Sequence, residues 1–182
     1  MPTLETFAAD DLRAAMVGFR DALVAHREAI NRLNVYPVPD GDTGTNMSLT
    51  MVAVVDELEG AAADLEATCR AVSHGSLMGA RGNSGVILSQ LLRGVADGLR
   101  TREPADAACV AAALVAAAEA AYGAVMKPVE GTILTVGRKA AEAARDAAEG
   151  GADLIGVLEA ARVAGGEALD DTPNLLPVLA EA

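Results

Sequence analysis

From Leu12 to Leu33 the residues Leu12, Met16, Phe19, Leu23, His26, Ile30 and Leu33 recur at alternating spacings of four and three. That spacing keeps all of them on one face of an α-helix, whereas a strand would need alternation every two residues. Similar helical patterning returns along the chain, and no stretch alternates convincingly. The expected fold is therefore all-α: about eight helices in one domain over 1–182, packed as an antiparallel barrel or bundle. Asp10 or Asp11 is expected to cap the first helix, which runs to about Leu33, with His26 a hydrogen-bonded packing residue on its buried stripe. A second helix is expected from about Thr45 to Leu58, with Met47, Met51, Val54, Val55 and Leu58 inward and Gly60 ending it. A third covers roughly Ala62–His74 and stops at Gly75, and a fourth opens after the Ser76–Gly85 segment and runs through Leu99. Arg102-Glu103-Pro104 reads as a surface linker. A fifth helix is expected over Ala105–Val125, a sixth over Ile133–Ala148 and a seventh over Leu154–Leu169, after a break at Gly150-Gly151. A short eighth starts with Thr172 as cap and Pro173 at the first helical position.

Hydrophobic residues make up 52% of the chain, yet the only aromatics are Phe7, Phe19, Tyr36 and Tyr122. The core must be built from Ala, Leu, Val, Ile and Met, which suits helices in close approach. The net charge of −12, from 26 acidic against 14 basic residues, argues against nucleic acid or an anionic membrane surface as partner. It also means that a polyanionic ligand needs a cation to mediate its binding. Cys69 and Cys109 each sit in an Ala-rich helical context, which favours buried free thiols in a reducing cytosol over a disulfide. The start, MPTLETFAADDLR, lacks a basic n-region and an apolar h-region, so no secretory signal is read and a cytoplasmic location is expected. Ala107–Ala118 is apolar but too short to span a bilayer, so no membrane insertion is expected.

Three polar, glycine-bearing connections interrupt the helices. Asp40-Gly41-Asp42-Thr43-Gly44-Thr45-Asn46 follows the first helix, behind Pro37 and Pro39. Carboxylates two apart on an irregular loop can turn their oxygens toward one point, as a hard cation requires. Glycines admit backbone N–H groups close to an anion, and a following helix N-terminus adds partial positive charge. Ser76-Leu77-Met78-Gly79-Ala80-Arg81-Gly82-Asn83-Ser84-Gly85 follows the third helix and is a second anion cradle by the same reasoning, although Ser84 reads equally well as a plain N-cap. Met126-Lys127-Pro128-Val129-Glu130-Gly131-Thr132 follows the fifth. In an up-and-down arrangement, connections after odd-numbered helices lie at one end, so the three are expected to form one site.

Other readings of Asp40–Asn46 fare less well. An EF-hand loop counted from Asp40 needs a bidentate Glu at its twelfth position, which is Met51. An aspartyl-phosphate phosphatase would place Asp-x-Asp after a buried strand, and two prolines exclude a central strand there. No Gly-x4-Gly-Lys-Ser/Thr occurs, so a P-loop is absent. A solvated acidic turn leaves the other two glycine-rich connections unexplained. A magnesium–nucleotide site on a helical scaffold fits best.

LNVYPVPDGDTGTNMSLTM, GSLMGARGNSGVILSQLLRGV, VMKPVEGTILTV and TPNLLPVL resemble the N-terminal kinase domain of the bacterial fatty acid kinase A subunit. That domain is related to the L-type (DhaL-like) nucleotide-binding domains of dihydroxyacetone kinases. The resemblance implies an eight-helix antiparallel barrel with ATP at one mouth, its phosphates reached through two Mg2+ ions. Asp40 and Asp42 match the aspartates that hold the ions. Thr43, Thr45 and Asn46 fall where the phosphates pass. Gly79 begins, and Gly82, Asn83 and Ser84 form, the second phosphate-contacting loop, and Thr132 and Leu134 approach the nucleotide from the third connection. Arg81 and Lys127 are candidates to add positive charge at the transferred phosphate, Arg81 the better placed of the two, although it reads as well as a surface arginine.

Two departures from the family pattern bear on the metal and on the base. The dihydroxyacetone kinase pattern has a third metal-binding aspartate where this chain has Val35, and the nearest candidate ligand is the neutral Asn34. A glycine-bearing loop expected to close over the nucleotide lies beyond Ala182, as would further domains of a larger kinase subunit. The implied reaction is phosphoryl transfer from ATP to a fatty-acid carboxylate, which is ionised at neutral pH and needs no general base. The acceptor is expected on a separate, DegV-like fatty-acid-binding protein, without which this domain is expected to be inactive. The alternatives are a dihydroxyacetone-type kinase domain and a non-catalytic magnesium–nucleotide regulatory module.

Overall fold

The apolar periodicity is realised as seven long helices in a computed structural model that describes residues 5–100 and 105–181. They are α1 (Ala9–Arg32), α2 (Thr43–Glu59), α3 (Leu65–Gly79), α4 (Gly82–Leu99), α5 (Ala107–Gly123), α6 (Ile133–Glu149) and α7 (Leu154–Asp170). A single turn, α8 (Thr172–Leu175), and a 3-10 turn at Pro177–Leu179 follow. Among the described residues there is no strand; one isolated antiparallel bridge joins Phe7 to Ala105. Each helix packs on the next, α2 also meets α4, and α5 meets α7. Sequential packing through short connections makes neighbours antiparallel, the expected helical bundle. The outermost helices, α1 and α7, do not touch among the described residues, so there the array stays open.

The main core is aliphatic, gathering Leu12, Met51, Val54, Val72, Leu99 and Leu154 from five helices and Cys69 and Cys109 from α3 and α5. Both cysteines are buried thiols, and burial pushes the Cys69 thiol up to about 11. Small residues set the helix spacing: a Cβ at Gly98 of α4 would lie 2.6 Å from the Ala113 Cα of α5. At the end away from the odd-numbered C-termini, Asp64, Asp106 and Asp153 cap α3, α5 and α7, their carboxylates accepting from Ala67, Cys109 and Gly156 N–H at 2.7, 2.8 and 2.8 Å. Arg13 of α1 fastens that end, donating to the carbonyls of Leu58, Ala61 and Ala62 and to the Thr68 hydroxyl. No helix among the described residues is long and apolar enough to cross a membrane.

Several sequence expectations need correction. The α1 cap position is Ala8; Asp11 instead accepts from the Ala8 N–H at 2.9 Å from the first turn, and Asp10 lies inside the helix. The α1 stripe is buried at Leu12, Met16 and Leu23, but Phe19 and Leu33 are exposed, and so is His26, which is no packing residue. Among the described residues α1 packs on no helix but α2 and α3, which leaves part of the stripe uncovered. Gly75 does not end the third helix. It lies inside α3, where a Cβ would come within 2.9 Å of the Ala53 carbonyl oxygen, so it permits close packing on α2. The Ser76–Gly79 segment is helical too, leaving only residues 80 and 81 between α3 and α4. Thr172 is the first residue of α8 and not its cap, which is Asp171; its hydroxyl donates to Leu169 O at 2.7 Å. The Arg102-Glu103-Pro104 linker lies outside the described residues.

Candidate functional site

The first connection is braced from α1. Asn34 donates from Nδ2 to the Val38 carbonyl at 2.7 Å, while its Oδ1 accepts from the Thr43 N–H at 3.1 Å and from the Thr43 hydroxyl. Between these anchors the chain passes through Gly41 at φ +68°, a conformation in which a side chain is strained. Asp40 is exposed; its N–H donates to Val38 O at 3.0 Å. Asp42 stands at the N-cap position of α2, but its carboxylate makes no cap bond. Asn31 supplies a second brace, accepting from the Thr45 N–H at 3.1 Å and donating to the Thr45 hydroxyl at 3.0 Å. Gly44 lets α2 start flush against α1: a Cβ there would overlap the Arg27 carbonyl. Sequence reasoning missed Asn31, whose signal is its place one turn before Asn34 at the end of α1.

The second connection meets the first. The buried Thr50 hydroxyl lies 2.8 Å from Asn46 O and 3.3 Å from Gly79 O, tying the end of α3 to α2. Gly82 opens α4 at φ +56°, with the Asn46 side chain where a Cβ would stand, and a Cβ at Gly85 would lie 2.6 Å from Thr50 Oγ1. The two motifs predicted to share a site are therefore in contact. α4 begins with no side-chain cap. Ser84 is the third residue of α4, so its N-cap reading fails. Its Oγ is buried with no hydrogen-bond partner. Asn83 is exposed, as is Arg81, whose guanidinium folds back to donate to Ala80 O at 3.0 Å and Met78 O at 3.3 Å.

The third connection is held by a separate network. Arg138 of α6 donates to Glu130 Oε2, Glu142 Oε1 and the Tyr122 hydroxyl at 2.8, 3.0 and 3.1 Å. Thr135 donates to Glu130 Oε2 at 2.7 Å and accepts from Gly131 N–H at 2.9 Å. The Thr135 hydroxyl bond, then Arg138, hold the Glu130 carboxyl below the ordinary glutamate value against the opposing effect of burial. Thr132 caps α6, its hydroxyl accepting from Leu134 N–H at 3.3 Å and donating to Val129 O at 2.8 Å, and the Leu134 side chain is buried. Lys127 is exposed. Gly131 packs against Thr172 and Leu176, so this connection contacts the segment after α7. No hydrogen bond or ion pair joins it to Asp40–Asn46 among the described residues.

The odd-numbered C-termini thus share an end with the starts of α2, α4 and α6, none of which is capped by a carboxylate. Three helix N-termini there keep their partial positive charge. Among the described residues no three His, Cys, Asp or Glu side chains gather as a ready-made metal cage. Asp40 and Asp42 supply two carboxylates only, a donor set that fits an ion completing its shell with water and phosphate oxygens, as Mg2+ does.

Residues 37–182 match the family model of the DAK2 domain. Proteins of Staphylococcus aureus strains USA300, NCTC 8325 and COL, each recorded as uncharacterized, are 49% identical to the chain over 155 residues, 85% of its length. The chain spans 28% of the length of these relatives. The family match covers most of the chain, and the chain belongs to the DAK2 domain family, the kinase-related, nucleotide-binding module of the dihydroxyacetone-kinase type.

Proposed function

We propose that the end formed by the first two connections binds ATP with Mg2+ and presents its terminal phosphoryl group for transfer. The observation that carries this reading is the start of α4: no side-chain cap, a backbone opened at Gly82, and a buried Ser84 hydroxyl with no protein partner. A phosphate oxygen supplies what those groups lack. Asp40 and Asp42 would hold the ion, whose chemistry is to neutralise phosphate charge and orient the transferred group. Around it, the N–H groups at the start of α4 bind phosphate oxygens, and Asn46 is held against Gly82 beside them. Arg81 need only release two carbonyls to swing toward the ligand. Asn34 braces the loop through an amide oxygen already occupied by Thr43, so its use as a metal ligand would compete with that brace.

For the acceptor we favour a fatty-acid carboxylate delivered by a separate fatty-acid-binding protein, giving an acyl phosphate. Support comes from the wording of the first two motifs. The family description itself supports a triose acceptor as the second reading. The test of the nucleotide site is a thermal-shift series with a non-hydrolysable ATP analogue, with and without Mg2+. A rise in melting temperature that requires both is expected, since a ligand bound only to the native state stabilises it. No shift with the pair would refute the site.

A further inference from the structure

Four aspartates stand just before a long helix: Asp42, Asp64, Asp106 and Asp153; a fifth, Asp171, precedes the single-turn α8 and takes no side-chain cap bond. Three of the four cap. Asp64, Asp106 and Asp153 have extended backbones, with ψ of 161°, −178° and 175°, and each carboxylate accepts the N–H of its helix's third residue. Asp42 departs on both counts. Its ψ is −4°, and its carboxylate takes no cap bond. The donor that it would accept belongs to Thr45, the third residue of α2, and that donor goes to Asn31 Oδ1. The first residue, Thr43, donates to Asn34 Oδ1. Both amides come from the end of α1 and the residues just after it, so α2 is capped from a neighbouring helix. Gly44 makes room for this: a Cβ there would stand 3.0 Å from Asn31 Oδ1.

A carboxylate that caps its own helix has its charge balanced by the N–H groups that it accepts. An amide oxygen satisfies the same donors without consuming a charge. We propose that Asn31, with Asn34, caps α2 in place of Asp42 and so keeps the Asp42 carboxylate free to take a divalent cation. Asn31 is then a positioning residue that acts through Asp42 and Thr45. The inference rests on the magnesium–nucleotide reading above for its ligand, but not for its capping half.

The two halves have separate readouts. In chemical denaturation without metal, Asp64→Ala, Asp106→Ala and Asp153→Ala should each shift the unfolding equilibrium about fivefold, the usual effect of losing a cap. Asp42→Ala should leave it unchanged. Asn31→Ala should shift it about fivefold, and Asn31→Asp, which keeps the acceptor, should restore it. In the second readout, the Mg2+ concentration for half-maximal binding of a non-hydrolysable ATP analogue should rise at least about tenfold in Asn31→Ala, as for loss of an outer-shell partner. A destabilisation by Asp42→Ala equal to that of the other three would overturn the proposal, because the carboxylate would then be a cap; this arm stands even where Asn31→Ala does not fold. An unmoved Mg2+ midpoint in a folded Asn31→Ala would equally overturn its positioning role. Nucleotide binding by the unsubstituted chain that ignores Mg2+ would instead refute the proposed metal site, while the denaturation series still decides who caps α2.

Discussion

Ser84 shows how much one residue's register decides. At the N-cap position its hydroxyl would accept a backbone N–H, and alanine there would cost about 1 kcal/mol. It stands instead three residues into the cap frame, with Oγ buried and unpartnered. A buried hydroxyl without a partner is a penalty carried by the free protein, so Ser84→Ala is expected to leave stability unchanged or raise it by up to about 1 kcal/mol. The same substitution should weaken Mg–nucleotide binding, which removes the penalty in the complex. Denaturation midpoints and nucleotide titrations of the two proteins separate these effects. A loss of stability with unchanged nucleotide affinity would return Ser84 to a purely structural role. The sequence could not distinguish these registers, because Arg81 is an unpromising cap residue and Ser84 a good one. What decided the helix start was the two-residue corner at Ala80 and Arg81, set by Gly79 and Gly82 packing on α2. The pairing of Asn31 with Thr45 was hidden for a related reason: it spans 14 positions between two helices, and nothing local marks it.

At the scale of elements, apolar periodicity placed the seven long helices because each buries a face against its neighbours. It misplaced ends where one residue type serves two purposes. Gly75 reads as a helix stop, yet it is there to let α3 approach the backbone of α2. The α1 stripe reads as wholly buried, yet among the described residues only α2 and α3 cover it. The third connection was legible as an irregular polar segment, but its anchoring was not, since Tyr122, Glu130, Thr135 and Arg138 come from two helices and the link between them. That network makes a pH-dependent contribution whose sign follows from the lowered Glu130 carboxyl. A group held below its unfolded value of 4.5 stabilises the fold above that pH, and the contribution is lost as the pH falls through the folded value. Glu130→Gln should therefore lower the melting temperature at neutral pH. The gap from the unsubstituted chain should narrow over the acid range below 4.5. Because Glu130 is substantially exposed, the effect should be modest and reduced by salt. A gap that stayed constant across that range would mean that the charge on Glu130 does not hold the connection.

The whole molecule confines what the proposed site can do with an acceptor. Its interior is filled by small and aliphatic side chains packed on one another, with alanines on α5 and α6 and glycines on α4 closing the gaps. Two surface depressions are lined largely by charged and small side chains. One, of about 540 Å3, has Asp56, Glu57, Arg70 and His74 in its walls, and the other, of about 350 Å3, has Thr135, Lys139, Glu167 and Asp171. Neither suits a long hydrocarbon, each buried methylene of which gains about 0.8 kcal/mol only if it leaves water. At the end that carries the proposed site, apolar side chains are exposed on all three connections: Leu33, Tyr36 and Val38 on the first, Met78 beside the second and Met126 on the third. Such a rim suits the surface of a docking protein better than it encloses an acyl chain. We therefore predict that the chain binds Mg–ATP but forms no acyl phosphate from free oleate, and that an oleate-loaded carrier protein starts the transfer. ATP consumption and acyl-phosphate trapping, each with free oleate and with the loaded carrier, give the comparison. Rapid Mg2+-dependent product from free oleate would place the acceptor site within these residues and refute delivery by a partner.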